Sequence, residues 1–391
     1  MRYNFDKVID RSGTSAEKVE GLKHIWGRTE LIPLWVADMD FATAPFVTDA
    51  IRKRCENEVL GYTGKPDSYY NAIINWVKQR YDLVVAKEMI NFVPGIVPGI
   101  GMAMNCFTQK GDKVMIQPPV YHPFAWVTTR NERTLVTNPL KWENGMYRMD
   151  LDTFREQIKG CKLFILCNPH NPGGVVWTEA ELRAIADICY DEKVLVFSDE
   201  IHADLTLPPH THRPFATVSE KARMNSVTFM SPSKAFNMPG LSASHALIFN
   251  EDLRKRFRIY MDAGELDMGH VFAFLSVEAA YSHGTEWLDQ CLAYIQGNID
   301  FVDDFLKNHA PKIKAIRPGA SYLVWLDCRE LKLSQKDLNE FFVDKAHLAL
   351  NDGEMFGKEG IGFMRLNVAS PRCIIEKAMK QLADAYQLYI K

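Results

Sequence analysis

The chain carries no charge excess of either sign. Lys plus Arg number 46 against 49 Asp plus Glu, a formal charge of -3 over 391 residues. Nothing in that balance calls for a nucleic acid or an anionic membrane as partner. No apolar run approaches the roughly 20 residues that a membrane helix needs. The opening Met1-Arg-Tyr-Asn-Phe-Asp-Lys-Val-Ile-Asp-Arg11 mixes charges and has no apolar signal core. The eight cysteines (55, 106, 161, 167, 189, 291, 328 and 373) include no Cys-x-x-Cys pair and lie mostly in apolar segments. They read as reduced core thiols of a cytoplasmic protein, not as disulfides or a zinc site. Internal repeats, low-complexity tracts and long linkers are also missing. A Gly-x-x-x-x-Gly-Lys loop is absent, and Gly99-Ile-Gly-Met-Ala-Met104 has methionine where the dinucleotide pattern needs Gly or Ala.

What is present is the composition of an ordinary globular chain, 47% apolar and 24% charged, and its length suits two domains. Residues 1–45 look like an irregular arm, because Trp26, Pro33 and Trp35-Val-Ala-Asp-Met-Asp-Phe41 lack helical periodicity. From Pro45 to Tyr81 the spacing predicts two helices broken at Gly61-Tyr-Thr-Gly64. Short apolar strands then alternate with helical stretches. Asn91-Phe-Val93 leads into Pro94-Gly-Ile-Val-Pro98, and Lys113–Gln117 into Pro118-Pro-Val-Tyr121. Lys162–Cys167 leads into Asn168-Pro-His-Asn-Pro-Gly-Gly174, and Lys193–Phe197 into Ser198-Asp-Glu-Ile-His202. Ser226–Met230 ends at Ser231-Pro-Ser-Lys234. Such strands make a mostly parallel sheet buried on both faces, which binds ligands at its carboxyl edge. After about residue 275 the alternation changes to that of a smaller α+β unit.

Every polar cluster falls at those strand ends: an amine (Lys234), a carboxylate (Asp199), an amide (Asn171), hydroxyls (Ser231, Ser233) and a ring (Tyr121). Backbone amides at Gly95-Ile96-Val97 open a helix, a ready site for phosphate. An aldehyde cofactor with a phosphate and a pyridine ring needs one of each: a lysine for the Schiff base and an aspartate to keep the ring nitrogen protonated. A metal site from Asp199, His202, His210 and His212 is conceivable, but the proline-rich Pro208–Pro214 reads more readily as a solvated turn.

Asn168-Pro-His-Asn-Pro-Gly-Gly174, Ser198-Asp-Glu-Ile-His202 and Ser231-Pro-Ser-Lys-Ala-Phe-Asn237, in this order, resemble the aspartate-aminotransferase-like (fold type I) pyridoxal-phosphate enzymes. Within them, Leu34-Trp-Val-Ala-Asp-Met-Asp-Phe41, Tyr121-His-Pro-Phe124 and Asp199-Glu-Ile-His202 resemble the MalY/PatB-type cystathionine β-lyases, which are C–S lyases. The match runs from about Pro33 to Arg372. The resemblance implies an α/β fold: a large cofactor domain (46–280) with a mostly parallel, mixed, seven-stranded-type sheet flanked by helices, and a small α+β domain (281–391) that the arm (1–45) joins in part.

The resemblance also implies roles. Lys234 would carry pyridoxal 5'-phosphate and, once freed, move the Cα proton. Asp199 would pair with the ring nitrogen, and Asn171 with the ring O3′, near His202. Tyr121 would stack on the ring. Ser231, Ser233 and the amides of Ile96 and Val97 would hold the phosphate, and Tyr62 would reach the phosphate of a neighbouring subunit, making a homodimer with shared sites. Arg365 would grip the substrate carboxylate, with Val36, Ala37 and Asn171 beside it. No metal is expected. Many aminotransferases have an arginine eight residues after the lysine; here that position is Ser242, and the C–S lyase branch also lacks the arginine. The implied reaction is β-elimination of a thiol from L-cystathionine or a related cysteine conjugate, giving pyruvate and ammonia. Transamination of an amino acid is the alternative, since both routes share Lys234, Asp199 and Arg365.

Overall fold

A computed structural model describes residues 2–390. Seven strands form the main sheet: β1 (Ile90–Val93), β2 (Lys113–Ile116), β3 (Thr134–Thr137), β4 (Cys161–Cys167), β5 (Leu195–Asp199), β6 (Ser226–Met230) and β7 (Ser244–Leu247). Their order is β1-β7-β6-β5-β4-β2-β3. Strands β2 to β6 run parallel, and β7 is antiparallel to both its neighbours. The central strands are buried almost end to end because helices cover both faces. The sheet is therefore mixed and seven-stranded, as the resemblance implied. The residue pattern alone misses β3, whose side chains are half exposed, and β7, whose Ser244 and His245 are polar.

Register sets the functional edge. Cys167 pairs with Asp199, and Asp199 with Phe229, so β4, β5 and β6 end abreast. The loops carrying Asn171, Asp199 and Lys234 therefore leave the sheet side by side. Helix α1 (Ile96–Phe107) lies against β1 and β6. A Cβ on Gly99 would stand 2.9 Å from Val93 Cγ2 and 3.2 Å from Phe229, so only glycine lets the helix approach this closely.

A second, antiparallel sheet is built from β8 (Lys314–Ile316), β9 (Leu323–Asp327), β10 (Asn351–Asp352) and β11 (Phe363–Asn367), in the order β8-β9-β11-β10. Arg365 sits in its centre, opposite Trp325 on one side and Asn351 on the other. Helices Thr285–His309 and Arg372–Ile390 cover this sheet. The segment before residue 45 is not wholly irregular: Glu17–Trp26 is a helix, and Ile32–Pro33 pairs in parallel with Leu348–Ala349. That helix escapes a reading by apolar spacing because its buried face contains Lys18 and Gly21 beside Leu22.

Candidate active site

At the carboxyl edge of the main sheet lies a slot of about 210 Å³, lined by Ala37, Ile96, Val97, Tyr121, Asn171, Asp199, His202, Ser233 and Lys234. Nine residues singled out by the sequence thus share one cavity. Lys234 follows the polar break after β6, and its Nζ donates to the carbonyl of Ala37 at 2.6 Å. Burial pulls its amine down to about 8; Arg365 adds to that, while Asp38 and Asp199 oppose it. The carboxyl of Asp199 is buried, and burial pushes it up to about 7 despite a hydrogen bond from the Ile201 amide and the nearby Lys234. Such a carboxyl, at the floor of a slot, suits a ligand that presents a cationic N–H.

His202 is buried with Nδ1 unpartnered, and burial drives its imidazole down to about 3. A neutral ring remains that offers a hydrogen bond but no charge. Tyr121 lines the same slot, and burial raises its hydroxyl. Helix α1 begins at Ile96 without a side-chain cap. Pro98 has no N–H and the Gly99 N–H returns to Gly95, so the amides of Ile96 and Val97 remain to meet an anion. Gly95, at φ +154°, makes the turn that aims them. Ser233 lines the slot. Ser231 stands behind it, its hydroxyl engaged with Ser233 Oγ at 2.8 Å and the Ala243 carbonyl at 2.7 Å.

Arg365 meets this site from the small sheet. Its Nη1 donates to Asn171 Oδ1 at 3.1 Å, and Nη2 to Asn351 Oδ1 at 2.5 Å and to the Trp35 carbonyl at 3.1 Å. Its guanidinium lies 4.8 Å over the Phe356 ring, and its Nε is buried without a partner. Among the described residues no carboxylate pairs with it. Burial lowers its pKa to about 10, so the site holds a desolvated cation ready for an anionic ligand. Val36 contributes through its backbone: Asn367 Nδ2 donates to the carbonyls of Val36 at 2.6 Å and Asp38 at 2.7 Å. Tyr62 alone stands apart, 98% exposed on the segment between two helices.

Two contributors, Asn351 and Tyr322, gave no sequence signal, and a third, Asn237, closed a motif without an assigned role. Asn351 orients Arg365, Tyr322 donates to the Ala37 carbonyl at 2.9 Å, and Asn237 clamps the backbone of Met39 and Phe41. Tyr322 and Asn237 act across long sequence separations, and Asn351 across a 14-residue one. The expected solvated turn at 208–214 is half right. His210 is exposed, but His212 is buried, with Nε2 2.8 Å from the Glu200 carboxylate. A buried carboxylate needs donors; the turn supplies His212, and the Phe215 amide just after it supplies another. Asp199 and His202 face the slot instead. Among the described residues no three His, Cys, Asp or Glu side chains converge to hold a metal.

Together the residues fit pyridoxal phosphate. The slot offers a lysine amine, a buried carboxyl and free amides at a helix opening, and beside it stands an arginine with no carboxylate partner among the described residues.

Comparison with known proteins agrees. The family described as aminotransferase class I and II matches residues 29–382. The chain is 38% identical to cystathionine beta-lyase PatB of Bacillus subtilis (strain 168), over 98% of this chain and 99% of that one. It superposes on cystalysin from Treponema denticola, which contains a pyridoxal 5'-phosphate cofactor, with a TM-score of 0.96 at 34% identity over 100% of both chains. It superposes on a PLP-bound C–S lyase from Staphylococcus hominis with a TM-score of 0.91 at 36% identity over 98% of each.

Proposed function

The chain belongs to the aminotransferase class I and II family, and from that premise we propose that it is a pyridoxal 5'-phosphate-dependent carbon–sulfur β-lyase acting on L-cystathionine or related cysteine S-conjugates. The observation that carries this reading is one narrow slot lined by Lys234 and Asp199, with the guanidinium of Arg365, which has no carboxylate partner among the described residues, held beside it through Asn171. Likeness to PatB and to the C–S lyases, and Ser242 where many aminotransferases have arginine, favour the lyase over the transaminase.

When bound, pyridoxal phosphate supplies a ring that withdraws the electron pair left at Cα. The chain does the rest. Arg365 binds the substrate carboxylate through a planar fork of donors and so fixes which Cα bond faces Lys234. Burial makes the amine of Lys234 a base near neutral pH, able to take the Cα proton. Asp199 holds the proton on the ring nitrogen. Asn171 and neutral His202 supply hydrogen bonds to the ring oxygen. Tyr121 would cover one face, and Ser233 with the amides of Ile96 and Val97 would retain the phosphate, Ser231 fixing Ser233 from behind. With the proton removed and a sulfur leaving group at Cβ, the C–S bond breaks to release a thiol.

The working unit is a homodimer in which Tyr62 reaches the neighbouring site; its near-complete exposure on one chain supports this reading. Residues 46–280 form the cofactor domain, and 281–391 with part of the 1–45 arm form the smaller one. Eight free cysteines, and the lack of any described helix long and apolar enough to cross a membrane, suit a cytoplasmic enzyme.

The test is to incubate the purified holoprotein with L-cystathionine, in parallel without and with an added keto acid, assaying pyruvate and free thiol together. Both should appear in equal amounts. Consumption of an added keto acid without thiol release would overturn the lyase reading in favour of transamination.

A further inference from the structure

The helix Glu17–Trp26 buries a lysine that the reaction above does not use. Lys18 is fully withdrawn from solvent, and its ammonium lies 2.7 Å from Asp40 Oδ2 and 3.7 Å from Asp38 Oδ1. Arg11 closes the same two acids from another side, with Nη2 2.5 Å from Asp38 Oδ2 and Nη1 3.0 Å from Asp40 Oδ1. Two carboxylates and two cations thus balance in one cluster, to which the Ser370 hydroxyl also donates.

The cluster abuts the catalytic amine. Asp38 follows Ala37, whose carbonyl receives both Lys234 Nζ and the Tyr322 hydroxyl. Asn367 ties the carbonyls on either side of Ala37, so Asp38 is held in place. The charged groups acting on Lys234 are Asp38 and Asp199, which favour its protonated form, and Arg365, which opposes it; Asp38 is the strongest of the three. His202, Tyr121 and Tyr322 face the same space as neutral groups near pH 7. Left unbalanced, the charge of Asp38 would hold the proton on Lys234, and Asp40 competes with it for the same two cations.

We infer that Arg11 and Lys18 are positioning residues for the reaction: they cancel the charge of Asp38 and Asp40 beside Lys234, keeping its nitrogen free to release a proton, and fix the Ala37 carbonyl on which that nitrogen docks. The arm is then part of the catalytic apparatus and not only a strap over the small sheet. Charge cancellation has a signature that packing alone lacks, because the acid and the bases should shift the same titration in opposite directions.

The experiment uses holoprotein and reads the pH midpoint of its visible absorption change, together with the acid limb of kcat/KM for L-cystathionine. Lys18→Met and Arg11→Met should each move both upward by roughly half to one pH unit, and Asp38→Asn should move them downward by a similar amount. The double variant Lys18→Met/Asp38→Asn should return near the wild-type value. Arg11 is partly exposed, so its variant decides the matter where Lys18→Met does not fold. Unshifted midpoints, or shifts of all variants in one direction, would overturn the inference. It rests on Lys234 carrying the cofactor: a wild-type holoprotein with no visible band would remove that premise, whereas a normal band with unshifted variants removes this inference alone.

Discussion

The guanidinium of Arg365 donates to Asn171 Oδ1 at 3.1 Å, joining the centre of the small sheet to the loop that leaves β4 in the large one. Two residues 194 positions apart in sequence thereby set the distance between the group that would bind the substrate carboxylate and the group that would bind the ring oxygen.

Replacing Arg365 should therefore damage turnover more than folding. Arg365→Lys keeps a charge but loses the planar fork, at a cost of about 3 kcal/mol in transition-state binding, or about a hundredfold in kcat/KM. Asn351→Ala removes the 2.5 Å contact that orients the guanidinium, together with the Nδ2 contact to Met355 Sδ, and should cost about tenfold, mostly in KM. Steady-state kinetics with L-cystathionine check both. An Arg365→Lys variant within threefold of wild type would mean that the carboxylate is held elsewhere.

How much of this was legible in the sequence depends on how local the cause is. Lys234, Asp199 and Asn171 stand at the ends of strands whose continuous apolar runs announce burial, and polar groups there have few structural uses. Strand β7 was hidden because Ser244 and His245 are buried polar residues, and the 17–26 helix because its buried face includes a lysine. A pattern that equates burial with apolarity misses both. Arg365 was visible as a cation inside an apolar strand, but Asn351, which aims it, has no local mark at all. Register between β10 and β11 brings them together, and register is a property of the folded sheet.

The Glu200–His212 pair gives a prediction about stability. Glu200 is almost fully buried and receives donors from Ser198 Oγ, the Phe215 amide and His212 Nε2, each at 2.8 Å. His212→Ala withdraws one donor from a buried carboxylate, which should cost about 1–3 kcal/mol. A shift of urea midpoint at unchanged m-value would register it. No loss of stability would mean that water replaces the imidazole.

Asp199 should show the opposite balance between stability and function. Its folded carboxyl titrates at about 7, raised by burial, against roughly 3.9 in an unfolded chain. A raised carboxyl contributes stability that is fully present below pH ~4 and is lost as pH rises through 7. In cofactor-free protein at pH 8, Asp199→Asn should thus be the more stable form, by on the order of 2 kcal/mol, with the advantage gone near pH 4. With cofactor the order reverses, since the amide cannot hold a charged ring nitrogen. Thermal melts of both forms at pH 4.5, 6 and 8, with and without pyridoxal phosphate, separate the two effects. An Asp199→Asn variant that binds cofactor as tightly as wild type would contradict the ring-nitrogen role.

Tyr62 tests the dimer. Its side chain is 98% exposed and has no part in the slot of its own chain, although Val59 and Leu60 beside it are also exposed. Three apolar residues in water on one segment favour coverage by a second copy. Tyr62→Ala and Lys234→Ala should each be severely impaired as pure proteins. Unfolded together and refolded as a mixture, half of the dimers pair one variant with the other. In each such dimer one site combines an intact Lys234 with an intact Tyr62 from the neighbouring chain, and the other site has neither. The mixture should then recover about a quarter of wild-type turnover by simple statistics of a two-fold assembly. If Tyr62 serves only its own chain, no combination restores a complete site, and the mixture will show no more than the mean of its two components.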